Sequence, residues 1–163
     1  MPLLAVTSLS LGFGKSPPVV QDVSFSVDAG ETLALVGESG SGKTLTCRSV
    51  LRILPAAAQV RGGAIQYSQK GITQDVLTLP ERKLRRLRGD RISMIFQEPM
   101  RALSPLHRLG NQVAEVLHLH GRISGAEAKA QVLAQFERVG FPDPERAWNS
   151  YPFEMSGGMR QRA

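Results

Sequence analysis

Cysteine is almost missing from this chain of 163 residues: Cys47 stands alone, which excludes an internal disulfide and fits a reducing compartment. Aromatic residues are scarce at 6%, so the base-stacking platforms of a single-strand binder are not evident. No stretch approaches the roughly 18 consecutive apolar residues of a membrane span. Met1 to Gly14 is mildly apolar but has neither a basic leader nor a small-residue cleavage site, so it does not read as a signal peptide and cytoplasm is the expectation. Histidine is rare too, and the only close pair, His118 and His120, would diverge on a helix with no thiol or acid at ligand spacing, which argues against a metal centre of that kind. What remains, 42% apolar and 21% charged residues, describes a globular domain able to bury a core.

Acidic residues trail basic ones by 14 to 20, leaving a formal charge of +6. Much of the excess lies in Arg82-Lys83-Leu84-Arg85-Arg86-Leu87-Arg88. Leu84 and Leu87 are three apart, so the run reads as a short helix whose basic residues face water. Nucleic acid is not expected as a partner, because no aromatics interleave with the charges.

Along the chain, Leu3 to Leu11 and Val19 to Val27 read as strands, the second with Val23, Phe25 and Val27 alternating against Asp22, Ser24 and Ser26. Glu31 to Val36 reads as a buried strand, Thr44 to Leu54 as a helix closed by Pro55, and Val60 to Leu79 as a small two- or three-stranded piece. Ile92 to Phe96 is a second buried-strand candidate ahead of Gln97-Glu98-Pro99, where Pro99 would stop regular structure. A helix is expected from about Leu109 to His120. Another should follow a Ser124/Glu127 capping box, with Val132, Leu133, Phe136 and Val139 on one stripe and Gly140 ending it. Pro142, Pro144 and Trp148 mark a loop.

The most informative stretch is Gly37-Glu38-Ser39-Gly40-Ser41-Gly42-Lys43-Thr44, set between the strand candidate and the helix candidate. Such a pattern arises by accident in fewer than about one chain in a hundred of this length. Its glycines let the backbone curl until successive N–H groups converge on one anion. Lys43 brings positive charge to terminal phosphates, the Thr44 hydroxyl can hold a Mg²⁺ that bridges them, and the helix adds its positive dipole end. Near the other end, Ser156-Gly157-Gly158-Met159-Arg160-Gln161-Arg162 looks like a second helix start with unshielded N–H groups, Ser156 either capping it or turning its hydroxyl outward.

Taken with Met94-Ile95-Phe96-Gln97-Glu98-Pro99, these stretches resemble the nucleotide-binding domain of ABC transporters, in the family's order and over essentially the whole chain. The wording of Gly30 to Ser39, of Phe96-Gln97-Glu98-Pro99-Met100 and of Tyr151-Pro152 looks most like the oligopeptide/dipeptide importer branch. The part up to Leu117-His118-Leu119-His120 is similar to tandem-ATPase peptide and microcin C uptake proteins.

The resemblance implies an α/β fold of the P-loop NTPase (ABC) type, with an N-terminal antiparallel β-subdomain, an incomplete RecA-like parallel core and a helical subdomain. It divides the chain into 1–96 (β-subdomain and P-loop core) and 97–163 (Gln97 loop, helical subdomain and signature motif). It implies ATP and Mg²⁺ as cofactors. ATP would be held by Gly37, Glu38, Ser39, Gly40, Ser41, Gly42, Lys43 and Thr44, and Mg²⁺ shared by Thr44 and Gln97, with Lys43 and Gln97 in catalytic roles. Phe13 resembles the aromatic that stacks on adenine, where tyrosine is commoner. Ser156, Gly157 and Gly158 would meet the γ-phosphate of ATP held by a second such domain. Pro99 to Leu109 would touch a membrane permease at the cytoplasmic face of the inner membrane, a substrate-binding protein being engaged only indirectly.

The implied function is an ATP-binding subunit coupling ATP binding and hydrolysis to import of peptides or related solutes. Three alternatives stay open: a soluble ABC protein acting on nucleic acid, a phosphate-loop kinase of another family, and a catalytically incomplete nucleotide-binding fragment. The last arises because family members continue into an apolar strand ending in Asp-Glu and later supply a switch histidine. Neither has a counterpart among the 14 acidic residues or in His107, His118 and His120, and Glu98 is a weak substitute. The strands that would flank the phosphate-loop strand belong to that same continuation. The sequence therefore reads as an N-terminal portion or a truncated frame, with apolar strand faces left exposed.

Overall fold

The computed structural model describes residues 1–98, 102–121 and 123–163, which divide into two compact units, Met1–Arg88 and Gly89–Ala163.

In the first unit, β1 (Leu4–Phe13), β2 (Val20–Val27), β3 (Ala58–Gln69) and β4 (Ile72–Asp75) form a four-stranded antiparallel sheet in the order β2-β1-β3-β4. The expected N-terminal β-subdomain is therefore present. Val6 pairs with Phe25 on one side and Ile65 on the other. Val6, Leu9, Leu11, Val20, Ile65 and Tyr67 are buried, each large aliphatic contributing about 2 kcal/mol. β2 keeps its predicted alternation, with Val23, Phe25 and Val27 half-buried between exposed neighbours.

Helix α1 (Lys43–Val50) is shorter than its sequence predicts. Arg52 sits at φ 50°, and Ile53 N donates to Arg48 O (3.1 Å) while Arg52 N donates to Ser49 O (3.0 Å), a turn that ends the helix at Val50, ahead of the expected Leu54. In α2 (Glu81–Leu87), Leu84 and Leu87 are buried and Arg82, Lys83, Arg85 and Arg86 are exposed, as their spacing predicts. Arg88 behaves differently. Its guanidinium pairs with Glu81 (2.8 Å) and donates to the carbonyls of Leu51 (2.8 Å) and Arg52 (3.1 Å), tying the end of α1 to α2.

Two strand expectations fail. Residues 31–36 form no strand, and Leu33, Leu35 and Val36 are exposed, Val36 at 85%. In the second unit Met94 to Phe96 is likewise unpaired, with Ile95 89% exposed. An apolar run becomes a buried strand only when neighbouring strands take up its N–H and C=O groups, and neither segment joins the sheet formed by the described residues. Pro99, the expected breaker, lies outside the described residues, as do Met100 and Arg101.

The second unit is helical: α3 (Leu109–His120), α4 (Gly125–Arg138), α5 (Pro144–Asn149), a 3₁₀ turn (Pro152–Glu154) and α6 (Gly157–Arg162). Its core joins Leu109, Ala114, Ala128, Val132, Phe136, Phe141, Ala147 and Met155. The expected Ser124 cap is present, its hydroxyl accepting from Glu127 N (3.2 Å). Gly140, at φ 79°, ends α4, and Phe141 N donates to Phe136 O (2.9 Å) with the two rings 4.9 Å apart. Of the α4 stripe, Val132 and Phe136 are buried, while Val139, at the helix end, is exposed. The expected loop around Pro144 and Trp148 is instead α5, because Asp143 accepts from Arg146 N (2.9 Å) and Pro144 opens the helix. Gly110 makes room for the Trp148 indole; a Cβ there would lie 2.1 Å from the ring.

Candidate functional site

Within the first unit the loop before α1 curls around the Lys43 side chain. Its ammonium donates to the carbonyls of Gly37 (2.7 Å) and Glu38 (2.6 Å) and lies 3.5 Å from the Ser41 hydroxyl, while Ser41 N donates to Glu38 O (3.2 Å). One lysine thus closes the loop into a ring. Gly40 and Gly42 adopt φ 82° and 90°, conformations that residues with side chains resist. At Gly42 space also forbids a side chain, since a Cβ would stand 2.5 Å from Val20 Cγ2.

Gly42 is the N-cap of α1, no side chain caps the first turn, and no acid lies in it. The positive end of the helix dipole is uncompensated there. Ser39 and Thr44 are exposed beside it, and Thr46 Oγ1 bonds back to Gly42 O (3.0 Å), fixing the turn to the helix. A cation, an uncapped helix start and glycines held in left-handed conformations fit a phosphate chain. Phe13, at the end of β1, is 37% exposed.

In the second unit, Gln97 and Glu98 are exposed residues of a bend. Ser156 is the N-cap of α6, its hydroxyl accepting from Met159 N (3.2 Å), so of the two options left open by the sequence the capping one is realised. Met155 is buried in the helical core and Met159 packs on it, while Arg162 donates to Gly140 O (2.7 Å). These contacts hold the turn while leaving Ser156, Gly157 and Gly158 exposed. A Cβ at either glycine would meet nothing within 4 Å. Among the described residues, no group of three or more His, Cys, Asp or Glu side chains is placed to hold a metal, and no helix is long and apolar enough to cross a membrane.

Sequence reasoning missed Arg61, which reaches from β3 to the turn after Phe13. Its side-chain direction depends on strand register, which no local pattern encodes.

A glycine loop opening a helix beside an antiparallel sheet, with a separate helical unit carrying the second glycine turn, is the architecture of an ABC-type ATPase cassette. The family model for the ABC transporter matches residues 20–163, and the chain belongs to that family. It is similar to the peptidoglycan transport ATP-binding protein YejF of Agrobacterium fabrum, 49% identical over 165 residues that cover 99% of this chain and 30% of the relative. It is also similar to the oligopeptide transport ATP-binding protein OppD of Bacillus subtilis, 41% identical over 164 residues covering 98% of this chain and 45% of the relative. The chain thus spans less than half the length of either. Among solved structures, the ATP-binding cassette MJ0796, in a dimeric post-hydrolysis state bound to ADP and Pi, matches with a TM-score of 0.77 at 23% identity, over 98% of this chain and 66% of that one. At that identity the likeness speaks for the fold alone.

Proposed function

We propose that this chain forms the nucleotide-gripping part of an ATP-binding subunit that couples ATP binding and hydrolysis to import of peptides or related solutes. The observation that carries the reading is the ring closed by Lys43 in front of an uncapped α1. When triphosphate enters, the Lys43 ammonium exchanges the Gly37 and Glu38 carbonyls for β- and γ-phosphate oxygens, and the first amides of α1 point at the same anion. The rest of the loop, Gly37, Glu38, Ser39, Gly40, Ser41 and Gly42, wraps the phosphates. Phe13 stacks on the adenine. Thr44 would hold Mg²⁺ through its hydroxyl, with Gln97 the second ligand that the family resemblance implies, and the ion would neutralise phosphate charge. Gln97 suits that role because a carboxamide ligates without adding charge.

Ser156, Gly157 and Gly158 serve a second cassette, approaching the γ-phosphate held by its loop. Among the described residues nothing calls for glycine at 157 or 158, which is compatible with close approach from outside. The names of the relatives, a peptidoglycan and an oligopeptide transport protein, support a peptide-type solute. A permease docks on the segment after Gln97, whose described part includes Ala102 and Leu103; these line a cavity of about 670 Å³ in which Val113, Val116 and Leu117 stand beside the polar Gln112 and Glu115. The protein then works peripherally, at the cytoplasmic face of the membrane.

The test is ATP binding and turnover by the intact protein against Lys43→Ala. Losing charge-assisted bonds worth about 2–3 kcal/mol should weaken ATP binding by roughly 30- to 150-fold and abolish turnover. Unchanged turnover in Lys43→Ala would overturn the reading.

A further inference from the structure

We infer that Arg61 is a positioning residue for the nucleobase platform, an inference that rests on reading Phe13 as the surface on which adenine stacks. β1 and β3 pair Ser10 with Gly62 and then Leu11 with Val60, so one step along β1 meets two along β3 and Arg61 is the extra residue of a bulge. Bulges re-aim a side chain that regular pleating would send elsewhere. The Arg61 side chain passes over Gly12, where a Cβ would lie 2.6 Å from its Cζ. Gly12 does not adopt a positive φ, so space is what glycine provides there.

Beyond Gly12 the guanidinium donates to three carbonyls of one turn: Nη2 to Phe13 O (3.2 Å) and Gly14 O (2.9 Å), and Nη1 to Ser16 O (2.6 Å). Ser16 N closes the turn on Phe13 O (3.1 Å), and Gly14 takes φ 49°. A planar fork of donors reaches three acceptors at once, which the single ammonium of lysine cannot match in that geometry. The turn, and with it the backbone of half-exposed Phe13, is thereby held by a strand distant in sequence. Platform rigidity lowers the ordering cost when a base stacks.

The experiment compares binding of ATP and of inorganic tripolyphosphate, which has no base, by the intact protein and its variants. Phe13→Ala should weaken ATP about tenfold and leave tripolyphosphate unchanged. Arg61→Met should weaken ATP about threefold with tripolyphosphate again unchanged, Arg61→Lys should recover part of the loss, and adding Arg61→Met to Phe13→Ala should cost nothing more. Gly12→Ala, which displaces the guanidinium while Arg61 stays in place, should reproduce Arg61→Met and keeps the test available if Arg61→Met does not fold. If Phe13→Ala weakens ATP but Arg61→Met and Gly12→Ala do not, Arg61 has no positioning role and the platform stands. If Phe13→Ala is silent, the platform reading itself falls. Parallel loss of ATP and tripolyphosphate binding in Arg61→Met would reduce Arg61 to general structural support and overturn the inference.

Discussion

Gly42 and Gly158 stand at the starts of two helices, in two different units, for opposite reasons. Gly42 is glycine because the chain itself leaves no choice: φ is 90° and Val20 fills the space a side chain would take. At Gly158, as at Gly157, φ lies outside the left-handed region and the surroundings are open. A glycine explained from within is a folding requirement. Gly157 and Gly158 carry no such requirement among the described residues, which leaves room for the partner role proposed for the rear turn, while the front loop is a cradle shaped by its own contacts.

The sharpest way to break this contrast is Gly42→Ala. Strain at positive φ plus the collision with Val20 should cost about 2–4 kcal/mol in chemical denaturation of the intact protein, and ATP binding should fall with it. A stable Gly42→Ala protein would show that the loop relaxes freely and is not pre-shaped. Ser156 gives an intermediate effect that separates capping from function. Ser156→Ala should lose about 1 kcal/mol of stability, whereas Ser156→Asp keeps a cap acceptor and should melt near the parent temperature, yet block ATP-driven association by placing a carboxylate where phosphate is to arrive. The smallest effect belongs to Gly157→Ala: stability should move by no more than about 1 kcal/mol, in the stabilising direction, since alanine favours the helix and meets no neighbour. A large loss there would mean that the rear glycines are structural after all.

Elements whose stability is local or amphipathic were legible in the sequence. α3 begins and ends at the residues its spacing predicts, α4 carries its Ser124 cap and its Gly140 stop, and β2 keeps its alternation. Elements that depend on distant partners were not. Residues 31–36 and 92–96 read as buried strands because of their apolar content, but pairing decides strand formation, and none of the described residues pairs with 31–36 or 93–96. α5 was hidden by its prolines, although Asp143 followed by Pro144 is a helix-start signal. At the candidate site, the glycine loop and the Ser156 turn are visible as motifs. The ring closed by Lys43, the open space beside Gly157 and Gly158, and the reach of Arg61 through a β-bulge emerge only in three dimensions.

The central contrast is tested most directly by calorimetric titration of ATP into the intact protein, dilute enough that copies do not associate, comparing Lys43→Ala with Gly158→Val. The account predicts that Lys43→Ala loses nucleotide affinity while Gly158→Val binds ATP as the parent does and fails only in ATP-driven association. Normal binding by Lys43→Ala together with lost binding by Gly158→Val would contradict it.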